Sequence, residues 1–162
     1  MTKVLVIGDS FASDWSVKYP VSGWPNFLAN EFTVTNLAQS GCSEYKIKKQ
    51  LDSVNPAQYT HAIIVRTSKS RIPVEIHPLH NSDALLHSCD FIYSDVLDNN
   101  YSGLKCIKEF YEKFYHEDFF EYIYDLIVCD IDNILLQYNV LTLHITFFDH
   151  VLPVNHRNFN AL

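Results

Sequence analysis

Two short apolar runs constrain the fold of this chain more than any other feature. Val4-Leu5-Val6-Ile7 and Ala62-Ile63-Ile64-Val65 are uninterrupted by polar residues and rich in β-branched side chains. A strand that is apolar at every position is buried on both faces, as in a parallel sheet covered by helices on each side. Two further segments complete the pattern. Residues 32 to 37 alternate like a strand, and residues 140 to 148 read as a last one. Helical patterns fall between them. Residues 24 to 31 are opened by Pro25 near the first turn, and residues 44 to 54 carry Tyr45, Ile47 and Leu51 as an apolar stripe. From Leu104 to Tyr138, Phe119, Ile123, Leu126, Ile127, Ile131, Ile134, Leu135 and Tyr138 recur at spacings of three and four, one apolar helix face. This alternation predicts an α/β domain spanning 1–162, with a central parallel sheet of about four to five strands and helices on both faces. Residues 68 to 102, punctuated by Pro73 and Pro78, read as an irregular insertion of the length that is usually functional or mobile.

Composition excludes several functions. A net charge of −7 and no basic block longer than Lys48-Lys49 leave nothing to neutralise a phosphate backbone or an anionic lipid surface, so no nucleic-acid and no membrane partner is expected. No apolar stretch reaches the roughly 18 residues of a membrane span, and Met1-Thr2-Lys3 runs straight into a strand without a signal-peptide core, so the expected location is cytoplasmic. Cys42, Cys89, Cys106 and Cys129 are far apart, which reads as reduced thiols rather than a disulfide framework or a zinc knuckle.

Ligands of open parallel sheets bind beyond the carboxyl ends of the strands. Three such ends carry polar clusters, at Asp9-Ser10, Ser40-Gly41 and Thr67-Ser68, and the fourth leads to Asp149 and His156. A serine hydroxyl needs a base to become a nucleophile, and the oxyanion it creates needs aimed donors. On position alone, Ser10 could equally cap a helix beginning near Phe11.

Two segments carry a resemblance that weights the first reading. Ile7-Gly8-Asp9-Ser10-Phe11-Ala12 resembles the first block of the SGNH/GDSL hydrolases, and Asn36-Leu37-Ala38-Gln39-Ser40-Gly41-Cys42-Ser43 resembles the second. The resemblance implies a three-layer, flavodoxin-like SGNH fold, Ser10 as nucleophile, and the Ser10 and Gly41 amides as oxyanion donors. It implies an esterase acting on an O-acyl ester, for example O-acetyl on a carbohydrate, with a small-molecule or carbohydrate ester as substrate.

The later blocks depart from the family. Its third block, Gly-x-Asn-Asp, is replaced by Arg66-Thr67-Ser68-Lys69-Ser70-Arg71, so Ser68, Thr67 or Arg71 is the expected substitute donor; the plain reading of Arg71 is a solvated loop charge. The usual Asp-x-x-His is absent, because Pro153 stands three before His156. His156 is taken as the base, ahead of His150, with Asp149 or a backbone carbonyl orienting it. Asp14 and Trp15, with Thr67 and Arg71, are candidates for the wall of a substrate cleft, and Trp24 reads equally well as core. His77, His80 and His87 with Asp83 lack a tight ligand pair, so no metal is expected. Asp130 and Asp132 lie two apart on a helix and read as a solvated acidic face. Gly8 stands without the further glycines of a dinucleotide fingerprint, so no cofactor is expected either. The departures also support a second reading, an SGNH-like scaffold that has lost turnover and serves as a binding module.

Overall fold

The computed structural model describes residues 2–94 and 104–146. Strands β1 (Lys3–Gly8), β2 (Thr33–Asn36), β3 (His61–Val65) and β4 (Leu141–Ile145) form one sheet in the order β2-β1-β3-β4, every pair parallel. Leu5 lies opposite both Thr35 and Ala62, and Ile64 opposite both Ile7 and His144. The chain therefore leaves β1 towards one side for β2 and returns to the other side for β3. That reversal puts the topological switch point between β1 and β3, and such sheets take ligands beyond the carboxyl ends of the strands at that point.

Alternation of side chains along each strand explains the continuous apolar runs. Leu5, Ile7, Ala62 and Ile64 point to one face, against Ile47 and Leu51 of α2 (Glu44–Asp52) and Ile131 and Leu135 of α4 (Glu117–Gln137). Val4, Val6 and Val65 point to the other, against Trp24 and Leu28 of α1 (Trp24–Leu28). Helices thus cover both faces, giving a three-layer α/β arrangement. Trp24, half-buried, packs against that second cluster. None of the described helices is long and apolar enough to cross a membrane.

Several elements are shorter than the sequence pattern suggests. Helix α1 stops at Leu28, α2 at Asp52, and β2 begins at Thr33. The helical stretch from 104 to 138 is two helices, α3 (Lys105–Lys113) and α4, interrupted at Phe114, Tyr115 and His116. His116 caps α4, its Nδ1 accepting the Phe119 N–H at 3.3 Å, and Glu117 and Asp118 follow at the positive end of the helix dipole.

The buried face of α4 also differs from the expected one. It is Tyr124, Val128, Ile131 and Leu135, spaced four, three and four, whereas Phe119, Leu126 and Tyr138 are exposed. Residues 68 to 92 are irregular as anticipated, held by turns, an isolated bridge between Ile72 and Phe91, and a small cluster around Phe91 and Leu104. The remainder of the expected insertion to 102 lies mostly outside the described residues, as does the end of the expected last strand at 147 and 148.

Candidate active site

Ser10 follows β1 directly, in a tight turn built by Asp9. The Asp9 carbonyl accepts the Ala12 and Ser13 N–H groups, both at 3.1 Å, and Asp9 Oδ1 accepts the Phe11 N–H at 3.1 Å. The turn, not a helix, shapes this point, so Ser10 is not a helix cap. Its carbonyl is held by Ser13 Oγ at 3.1 Å and Trp15 Nε1 at 2.8 Å. The backbone at Ser10 is fixed from below while the residue itself is half-buried at the sheet edge.

The turn is also tied to its neighbours. Asn36, at the end of β2, donates through Nδ2 to the Ala12 carbonyl at 2.8 Å, and Trp24 Nε1 donates to the Phe11 carbonyl at 2.8 Å. Gly8 explains why the strand can end here. A Cβ on it would lie 2.6 Å from the Val65 carbonyl oxygen, so only glycine lets β1 and β3 approach this closely. Gln50 completes the strand end from α2: its Oε1 accepts the Gly8 N–H at 2.8 Å and its Nε2 donates to the Gly8 carbonyl at 3.1 Å.

The second block reaches the same edge. Gly41 has φ +69°, a left-handed turn conformation that favours glycine, and a Cβ there would come within 2.7 Å of Cys89 Cβ. Its carbonyl accepts the Asp90 N–H at 2.9 Å and Arg71 Nη1 at 3.0 Å. Arg71 is therefore not a solvated loop charge. It also donates to Thr67 Oγ1 through Nε at 3.0 Å. Arg71 thus joins the loop after β3 to Gly41, and both Arg71 and Thr67 favour the Asp9 carboxylate. Burial raises the Asp9 pKa above its ordinary value, against the opposing pull of the Phe11 N–H, Arg71 and Thr67.

Other expected residues are placed differently. The Ser68 hydroxyl is paired with Ser70 Oγ at 2.8 Å. Asp14 caps a single 3-10 turn, accepting from the Ser16 N–H and hydroxyl, and those bonds lower its pKa. A cleft of about 180 Å³ opens between the start of α2 and α4, lined by Ser68, Arg71, Phe119, Phe120 and Tyr124 among others. Of the four residues expected to wall a substrate cleft, Arg71 lines this one; Asp14, Trp15 and Thr67 do not. All four strands are parallel, so β4 ends at the same edge as β1. Asp149, His150 and His156 lie outside the described residues.

A buried ionic cluster lies beside this edge that the sequence pattern did not reveal. Arg66, fully buried at the end of β3, pairs with the buried Glu44 at the first turn of α2. It donates through Nε to His144 Nδ1 at 3.2 Å and through Nη2 to Asp132 Oδ1 at 3.4 Å. His144 Nε2 lies 3.1 Å from that same Asp132 oxygen. Asp132 is thus an internal partner, not part of a solvated face, while Asp130 is the exposed one and pairs with Lys48. The only advance signal is Arg66 itself, a charge placed directly after an apolar strand.

Comparison with protein-family models, curated proteins and solved structures finds no match for this chain. The functional reading therefore rests on the residues and their arrangement.

Proposed function

We propose that this protein is a serine esterase of the SGNH/GDSL type. Ser10 attacks the carbonyl of an O-acyl ester, the proton passes to His156, and Asp149 or a backbone carbonyl orients that imidazole. The amides of Ser10 and Gly41 receive the oxyanion. The alcohol leaves with the proton, and water then attacks the acyl-enzyme to release the acid and regenerate the Ser10 hydroxyl. Small acyl groups such as acetyl on a carbohydrate are the intended substrates, by analogy with the family that the two blocks resemble.

The observation that supports the reading is the set of hydrogen bonds that ties the two blocks together: the Gly8 carbonyl accepts the Gln39 N–H at 3.0 Å and Cys42 Sγ at 3.3 Å, and Asn36 Nδ2 donates to the Ala12 carbonyl at 2.8 Å. It fixes the two resembling blocks relative to one another. The test is hydrolysis of acetyl esters by wild type and Ser10→Ala. Loss of the nucleophile lowers the rate by at least ~10³-fold; an unchanged rate refutes the assignment.

One observation favours a second reading, a scaffold without turnover. Arg71 is committed to the Gly41 carbonyl and Thr67, and Ser68 to Ser70, so the residues that replace the family's third block have other partners. Loss of one oxyanion donor costs about 10²–10³ in rate. Folded wild type without measurable turnover of any acyl ester selects this reading.

A further inference from the structure

The irregular segment between β3 and α3 brings together three side chains that its sequence spacing does not associate. One ring nitrogen each of His77 and His80 and the Cys89 sulfur lie within 4.8 Å of one another. His77 is fully buried, Cys89 buried and His80 half-buried. The two imidazole rings stack, with centroids 4.6 Å apart, and His77 packs against Phe91 at 4.5 Å. Asp83 and His87 are not part of this group. Asp83 is engaged by Lys18 and by the Leu85 and Leu86 N–H groups, and His87 is exposed.

We propose that His77, His80 and Cys89 bind a zinc ion that staples this segment. Two imidazoles and a thiolate are a zinc-type donor set, unsuited to magnesium or calcium, which take oxygen. With Zn–N of about 2.0–2.1 Å and Zn–S of about 2.3 Å, tetrahedral ligands sit roughly 3.4–3.6 Å apart, so the ligand atoms draw together by at most about 1.4 Å on binding. Binding converts the Cys89 thiol to thiolate and releases its proton to solvent, and a water completes the fourth position.

The need for such a staple is visible in the packing. Between Ser68 and Ile92 the described chain has no helix or extended strand, only turns and the Ile72–Phe91 bridge. The ligands would close the loop from 77 to 89 at its base. The effect would extend to the candidate active site, because Cys89 Cβ lies against Gly41 and the Asp90 N–H holds the Gly41 carbonyl. The Asp90 carboxylate also accepts the Ser43 N–H at 2.7 Å at the start of α2. A cation at 77, 80 and 89 therefore restrains the Gly41 turn. This role does not depend on Ser10 being a nucleophile.

The test is metal content and cobalt spectroscopy on the full chain. Purified wild type carries about one equivalent of zinc, and the apoprotein takes up one equivalent of Co²⁺ with a thiolate-to-cobalt charge-transfer band in the near ultraviolet. Cys89→Ser loses that band, and His80→Ala, at a half-buried position that leaves the packing around Phe91 in place, weakens Co²⁺ binding at least tenfold. His87→Ala keeps both. Folded wild type that neither retains zinc nor develops the band overturns the proposal. So does His80→Ala with unchanged affinity, or His87→Ala with an equal loss, which would reveal adventitious surface binding.

Discussion

Replacing Arg66 by Met removes the hub of the buried cluster and leaves the Glu44 carboxylate without its cation. Arg66 is fully buried and Glu44 nearly so, each drawn out of water to make this pair. Breaking a buried pair from one side costs about 3–5 kcal/mol, because the remaining charge stays desolvated. At the roughly 2–4 °C per kcal/mol expected for a domain of this size, Tm falls by about 6–20 °C. The loss is pH-dependent. Burial raises the Glu44 pKa, and Arg66 is the main influence opposing it. A native pKa raised above the unfolded value means that the folded state binds the proton more tightly. Stability therefore falls as pH rises from the unfolded value through the native one. Without Arg66 the native pKa moves higher still, so the R66M deficit grows as pH rises above the ordinary glutamate range. Urea unfolding across a pH series, with m constant, measures this. In R66M/E44Q, where no buried carboxylate remains at 44, part of the loss is recovered. A deficit below about 1 kcal/mol, or strictly additive single and double variants, refutes the claim that Glu44 depends on Arg66.

Three further outcomes follow from the geometry. Gln50→Leu strands the buried Gly8 N–H, which costs about 1–3 kcal/mol in urea unfolding, while the Gly8 carbonyl keeps the Gln39 N–H. Gly41→Ala places a methyl 2.7 Å from Cys89 Cβ in a left-handed turn, so it destabilises by about 1–3 kcal/mol in urea unfolding, more than an exposed control substitution does. The Asp83 carboxyl is pushed down to about 2 because Lys18 and two backbone N–H groups favour its charged form, and Lys18→Ala returns it towards the ordinary value in an NMR titration. A native pKa depressed in this way contributes stability above the unfolded value that is lost as pH falls towards 2.

The two central strands were legible because both of their faces are buried, and burial on both faces leaves an unbroken apolar run. Val4 to Ile7 and Ala62 to Val65 announce β1 and β3 for that reason. The face of α4 was not, because apolar residues occupy more than one side of that helix. Docking on α2 and the sheet selects Tyr124 and Val128 and leaves Phe119 and Leu126 exposed. The break before α4 has no proline or glycine, but His116 followed by Glu117 and Asp118 carries a capping signal. The Arg66 cluster draws on residues 44, 66, 132 and 144, whose meeting depends on the fold alone. That Ser10 and Gly41 lie at the edge where the strands end was legible in the sequence; Arg71 as the link between Thr67 and Gly41 was not, since a loop arginine has the same sequence signature when solvated.

The proposed esterase stands on an activated Ser10, and fluorophosphonate labelling followed by intact mass reads that activation without knowledge of the substrate. One adduct on folded wild type and none on Ser10→Ala is the expected result. Folded wild type that takes up no adduct over hours, or an adduct that persists on Ser10→Ala, contradicts it.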